Sequence, residues 1–139
     1  MNQLRPKIKL GKLPRRYTYV ENPHREQDIN LCPRCNTITH KEKFILFIIA
    51  PHYPPITLGY KCIFCSKCEL IITHQQTLAE QVQFAYSKMD PKIKIDDFFV
   101  MGTFDKSVWG KNLNKAHQLD NIYSYLSDFE SYFVLGENQ

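Results

Sequence analysis

Runs of apolar residues interrupted by proline dominate the first half of the chain, and helical spacing dominates much of the second. Residues 44–49 read Phe-Ile-Leu-Phe-Ile-Ile. A continuous β-branched and aromatic run of this length predicts a strand buried on both faces. Pro51, Pro54 and Pro55 follow, and each fixes φ and removes a backbone donor, so a non-helical loop is expected. Residues 56–60 then predict a returning strand. Earlier, Tyr17-Thr18-Tyr19-Val20 predicts a short strand and Asn22-Pro23 a turn. Further on, Thr77-Leu78-Ala79-Glu80 has the form of a capping box. Leu78, Val82, Ala85 and Met89 recur behind it at helical spacing, and Pro91 is expected to end that helix. Residues 93–104 predict a strand with Gly102 near its end. Residues 111–127 predict a second helix with Ala116, Leu119, Ile122, Tyr123 and Leu126 on one face. Residues 132–135 predict a closing strand.

The cysteines change this picture most. Cys32-Pro33-Arg34-Cys35 precedes the predicted hairpin, and Cys62-Ile63-Phe64-Cys65-Ser66-Lys67-Cys68 follows it. Two Cys-x-x-Cys hooks brought together by a hairpin fit a tetrahedral four-thiolate zinc site, one structural Zn2+ with no position open to substrate. The second hook can be built from Cys62 with Cys65 or from Cys65 with Cys68. Cys65 and Cys68 are preferred. In the runs after both Cys35 and Cys68, a polar residue leaves the turn and an apolar residue is expected beneath the metal. Cys62 stands as the alternative ligand, otherwise a small buried apolar side chain or a reactive thiol. The Cys62, Cys65, Cys68 triplet departs from the bacterial iron–sulphur run, because a fourth cysteine is expected where Ile72 stands. His40 and His74 read as local hydrogen-bonding residues.

The expected fold class is therefore α+β: a zinc ribbon, with its β-hairpin between the two hooks, joined to a small body of two helices and short strands. The expected division is a basic N-terminal arm over residues 1–30, the ribbon over 31–75, and an α+β region over 76–139 packed on the ribbon.

Charge adds one candidate surface. The net charge is +4, unevenly spread. Residues 1–43 carry ten Lys/Arg against four Asp/Glu, whereas residues 90–139 carry five against eight. Arg5, Lys7, Lys9, Lys12, Arg15 and Arg16 lie in the basic segment and are the candidate contacts to nucleic acid or another anion. The N-terminus has no apolar core of a signal peptide. The longest apolar run, residues 44–50, is seven residues, against the about 20 a spanning helix needs. A cytoplasmic setting without membrane attachment is expected. There, clustered cysteines act as metal ligands rather than disulfides.

No His-Glu-x-x-His, no phosphate loop and no Gly-x-Ser-x-Gly elbow occurs. The Asp96-Asp97 pair reads as a polar strand entrance and Trp109 as a core residue. This leans against an enzyme without deciding the matter.

Cys32-Pro33-x-Cys35 with Thr39-His40-Lys41, followed by Cys62-x-x-Cys65-x-x-Cys68-Glu69-Leu70-Ile71-Ile72-x-His74-Gln75, resembles a family of small bacterial zinc-binding proteins without assigned function. The resemblance implies zinc binding in a bacterial cell and lends no catalytic residue. Ser66 departs from the proline usual after the first cysteine of a ribbon hook. The function expected is a non-enzymatic structural-zinc module that binds a protein or a nucleic acid. The alternatives are a thiol-based redox sensor using Cys62 and an accessory subunit of a larger assembly. The C-terminal strand is the candidate surface for self-association.

Overall fold

The computed structural model describes residues 8–24, 29–105 and 122–136. Its strands are β1 (Thr18–Asn22), β2 (His40–Ile49), β3 (Ile56–Cys65), β4 (Leu70–His74), β5 (Phe99–Phe104), β6 (Leu126–Asp128) and β7 (Ser131–Val134). They form one seven-stranded sheet in the order β6-β5-β2-β3-β4-β1-β7. The single α-helix among the described residues is α1 (Gln75–Met89), and a 3-10 turn covers Tyr123–Tyr125.

The two edge strands are joined by only Phe129 and Glu130. Three Cα steps from Asp128 to Ser131 span at most about 11 Å. Seven flat strands at about 4.8 Å spacing would place the edges roughly 29 Å apart. The sheet must therefore curl, and it forms a half-barrel. Phe129 closes the seam. It is fully buried, its N–H donates to Met101 O at 3.1 Å, and its ring stacks on Tyr19 at 4.8 Å.

Strand periodicity separates two kinds of core. Successive side chains on a strand point to opposite faces. Phe44, Leu46, Ile48, Cys62, Phe64, Tyr19 and Ile71 point inward and pack with Leu78, Val82 and Tyr86 of α1. The alternate positions build two smaller outer clusters. Ile45 and Phe47 join Phe104, Ile122 and Leu126. Val20, Ile63, Cys65, Leu70, Ile72 and Phe133 surround the first cysteine hook. The run at 44–49 is thus buried on both faces, as its composition predicts.

The α+β expectation is overturned. The hairpin β2–β3 is paired from His40↔Phe64 to Ile48↔Ile56, but β5 pairs with β2 and β4 with β3. It is the centre of a large sheet and not a separate ribbon. The short strand expected at residues 17–20 is present as β1, but the apolar run Leu70-Ile71-Ile72, read only as packing beneath the metal, is a further strand, β4, and both lie inside the sheet. Their parallel pairing, Thr18↔Leu70 to Asn22↔His74, is set by contacts remote in sequence. The predicted second helix also fails where it can be seen. Residues 122–128 hold the 3-10 turn and β6, while residues 111–121 and Trp109 lie outside the described residues.

The capping box does not form either. α1 starts at Gln75 with His74 as its N-cap and no side-chain cap, so Thr77 is already helical. The chain runs directly from β4 into the helix, and burial of Leu78 and Val82 fixes the start. Met89 lies 56% exposed, and Tyr86 takes the inward place. The helix ends before Pro91 as expected. Residues 93–98 precede β5 rather than belonging to it, with Asp96 and Asp97 exposed.

Residues 8–16 run beside β6. Lys12 N–H donates to Tyr123 O, Leu13 N–H to Leu126 O and Arg16 N–H to Asp128 O. The buried Asp128 carboxylate accepts from Leu10 N–H at 2.9 Å and Gly11 N–H at 2.6 Å. β1, within the expected basic arm, lies between β4 and β7.

Candidate metal centre

Each hook is a tight turn at the same end of the hairpin. Cys32 N–H donates to Thr37 O at 2.8 Å and Asn36 N–H to Cys32 O at 2.9 Å, so the first hook folds back on itself. The bridge Leu31↔Ile38 closes its base. The second hook joins β3 to β4. In both, the residue after the second cysteine takes a left-handed backbone, Asn36 at φ 63 and Glu69 at φ 52. Asn tolerates this region, whereas at Glu69 it carries strain. Backbone donors point at sulphur in both hooks: Arg34 N–H to Cys32 Sγ and Cys68 N–H to Cys65 Sγ, each at 3.4 Å.

The sulphurs of Cys32, Cys35, Cys65 and Cys68 all lie within 4.8 Å of one another. Four thiolates at about 2.3 Å from one zinc sit about 3.8 Å apart at tetrahedral angles. Cys35 and Cys65 are 3.5 Å apart. The donor set and its spacing thus fit a four-coordinate soft-metal site.

Cys62 lies elsewhere. It is three residues before Cys65 on the same strand, an odd offset, so the two side chains take opposite faces. Cys62 packs in the interior, 1% exposed, and Cys65 in the outer cluster. That same offset was available in the sequence once the strand was known to run through Cys65, rather than stopping at residue 60. It also separates the three cysteines of the iron–sulphur-like triplet.

The expected symmetry of the hooks holds only in part. Leu70 packs beneath the second hook at 1% exposure, but Ile38 after the first is 78% exposed.

The thiols differ in acidity before metal arrives. The Thr37 hydroxyl, 3.2 Å from Cys35 Sγ, and the Thr37 backbone lower Cys35 to about 6. The neighbouring Cys35 sulphur and burial push Cys68 up to about 12. Burial pushes Cys65 up. Metal must therefore displace protons, and its binding weakens as pH falls.

Burial also drives the Cys62 thiol far up. A raised folded pKa means stability that is whole below the unfolded thiol value and lost above it. Between about pH 8.5 and 10, before tyrosines titrate in the unfolded chain, the melting temperature is expected to fall. In Cys62→Ala the fall across that window should be smaller, although the variant starts less stable at pH 7.5. Equal slopes in both proteins would contradict this.

The described basic candidates meet different partners. Arg5 and Lys7 lie outside the described residues. Lys9 Nζ donates to Gly11 O at 2.8 Å, and Arg15 to Phe129 O at 3.0 Å. Arg16 forms an ion pair with Glu69 at 2.8 Å and lies over the Tyr17 ring. His40 Nε2 is 3.6 Å from Glu42 Oε1. No described helix is long and apolar enough to cross a membrane.

No family model, curated protein or solved structure matches the chain. What the structure bears out is the convergence of the four cysteine sulphurs; no family is shown.

Proposed function

We propose that the protein is a non-enzymatic module built on one structural zinc ion, presenting its sheet to a protein or nucleic-acid partner. The observation that carries this reading is the convergence of four cysteine sulphurs within 4.8 Å. Thiolate-only donors select a soft or borderline ion, and zinc suits four of them in a tetrahedron. Four protein ligands fill that tetrahedron, leaving no place for a substrate or an activated water.

The ion ties the β1–β2 connection, which holds Cys32 and Cys35, to the β3–β4 turn, which holds Cys68 beside Cys65. Its task is to fix a loop with little apolar surface to bury. The buried, unionised Cys62 gives a sensor role no support, since reactive thiols are exposed and ionised.

Metal analysis with thiol counting on native protein tests this. One zinc per chain is expected, with Cys62 silent until the protein is unfolded. All five cysteines should titrate after unfolding with chelator. A coloured iron protein, or metal-free protein with all thiols reactive, would refute the structural-zinc reading.

A further inference from the structure

β4 pairs with β3 only from Ile63↔Ile72 to Cys65↔Leu70. Beyond Ile63 the neighbouring space is taken by the start of α1, and a groove of about 210 Å³ is left between them. Lys41, Lys61, Ile63, His74, Thr77 and Gln81 line it, and none of its lining residues is a carboxylate.

Lys41 and Lys61 share the outer face with Lys43, in step with Ile63 and Cys65. Lys43 stands directly opposite Lys61, and its side chain lies across Gly59, where a Cβ would come within 2.7 Å of Lys43 Cε. All three lysines are exposed. None of them takes part in the ion pairs Arg16–Glu69 and His40–Glu42. Like charges directly opposite on a sheet are destabilising. The central hairpin therefore carries an uncompensated positive patch on rigid backbone.

We infer that this groove and the Lys41, Lys43, Lys61 face bind the phosphate backbone of a nucleic acid. The proposal rests on the binding-module reading above and names its partner. A protein partner would need an exposed aromatic or aliphatic anchor, and a membrane an apolar side chain to insert. The aromatic and apolar lining here, Tyr60, Ile63 and Ile72, is buried at 6%, 7% and 1%. Lysines supply point charges for phosphate, and Thr77 and Gln81 supply the side-chain donors that accompany such contacts.

The test uses full-length, zinc-loaded protein and a fluorescent single-stranded oligonucleotide of mixed sequence, titrated across a range of salt. Wild type should bind, with affinity falling as salt rises. The variant K41Q/K43Q/K61Q should lose on the order of 100-fold in affinity near about 50 mM salt, and its salt slope should shrink by about 2, three contacts at about 0.7 each. The charge-matched K88Q/K92Q/K94Q should keep the wild-type slope. Thermal stability of the first variant should hold or rise, because a repulsive pair is gone; a fall in stability with its zinc retained would mark the lysines as structural and overturn the inference. Equal losses in both variants, or an unchanged slope in the first, would place the contacts elsewhere and overturn this face while leaving nucleic acid as partner. No binding by zinc-loaded wild type would overturn the nucleic-acid reading itself, with the zinc centre standing on its metal content.

Discussion

The Cys65→Ser protein is expected to lose its metal and, with it, the cooperative unfolding of the intact chain. On the proposed structural-zinc reading Cys65 is the pivotal ligand, because it ends β3, is fully buried, and lies 3.5 Å from the Cys35 sulphur of the other hook. Serine cannot supply a thiolate, so three donors remain and the tetrahedron opens. The segment around the first hook then has little else to hold it. Leu31 and Ile38 form its base but are 46% and 78% exposed, and its internal hydrogen bonds are those of a turn. Structural zinc contributes about 10–16 kcal/mol in peptides that depend on it wholly. Here the interior core survives, so a loss on the order of 5 kcal/mol is expected, roughly 20 °C in melting temperature. Chelation of wild type should reproduce both the loss and its location, with hydrogen exchange rising first at residues 29–39. Cys62→Ser, by contrast, should keep its metal while weakening the interior. Stoichiometric zinc in Cys65→Ser would refute the ligand assignment.

Gly102→Ala should be a strongly damaging small substitution away from the metal. A Cβ at Gly102 would lie 2.1 Å from Ser127 O and 2.8 Å from Asp128 Cα. Both are backbone atoms of β6, so no side chain can swing away. Gly102 also pairs with Asp128 across the β5–β6 ladder. Relief requires β6 to move off β5, which disturbs the seam at Phe129 and the Asp128 carboxylate that holds residues 10 and 11. Overpacking of this kind costs about 3 kcal/mol, or roughly 10 °C for a chain of this size. Denaturant unfolding at fixed pH measures it directly; a change under about 0.5 kcal/mol, the range of ordinary surface substitutions, would mean β6 is not seated as described.

Both effects trace to features of different legibility. The four cysteines that converge were legible in their spacing, because a Cys-x-x-Cys turn is local chemistry, although Cys62 stood as an alternative to one of them. The run at 44–49 and the helix ending before Pro91 were equally plain, since continuous apolar composition and a missing backbone donor act within a few residues. Gly102 announced nothing beyond a break near a strand end. Its importance comes from the backbone of residues 127 and 128, which only the curled sheet brings against it.

The sequence by itself determined the pair of cysteine hooks, the central hairpin strands and the amphipathic helix, since hydrophobic periodicity and cysteine spacing are properties of neighbouring residues. Tertiary structure alone decided that the hairpin is the middle of a seven-stranded half-barrel. Parallel pairing of β1 with β4 and β7 joins segments about 50 and 110 residues apart, and no local pattern encodes such a register. It also decided the fate of Cys62, because strand length sets which face each cysteine takes, and packing against β4 and α1 set that length.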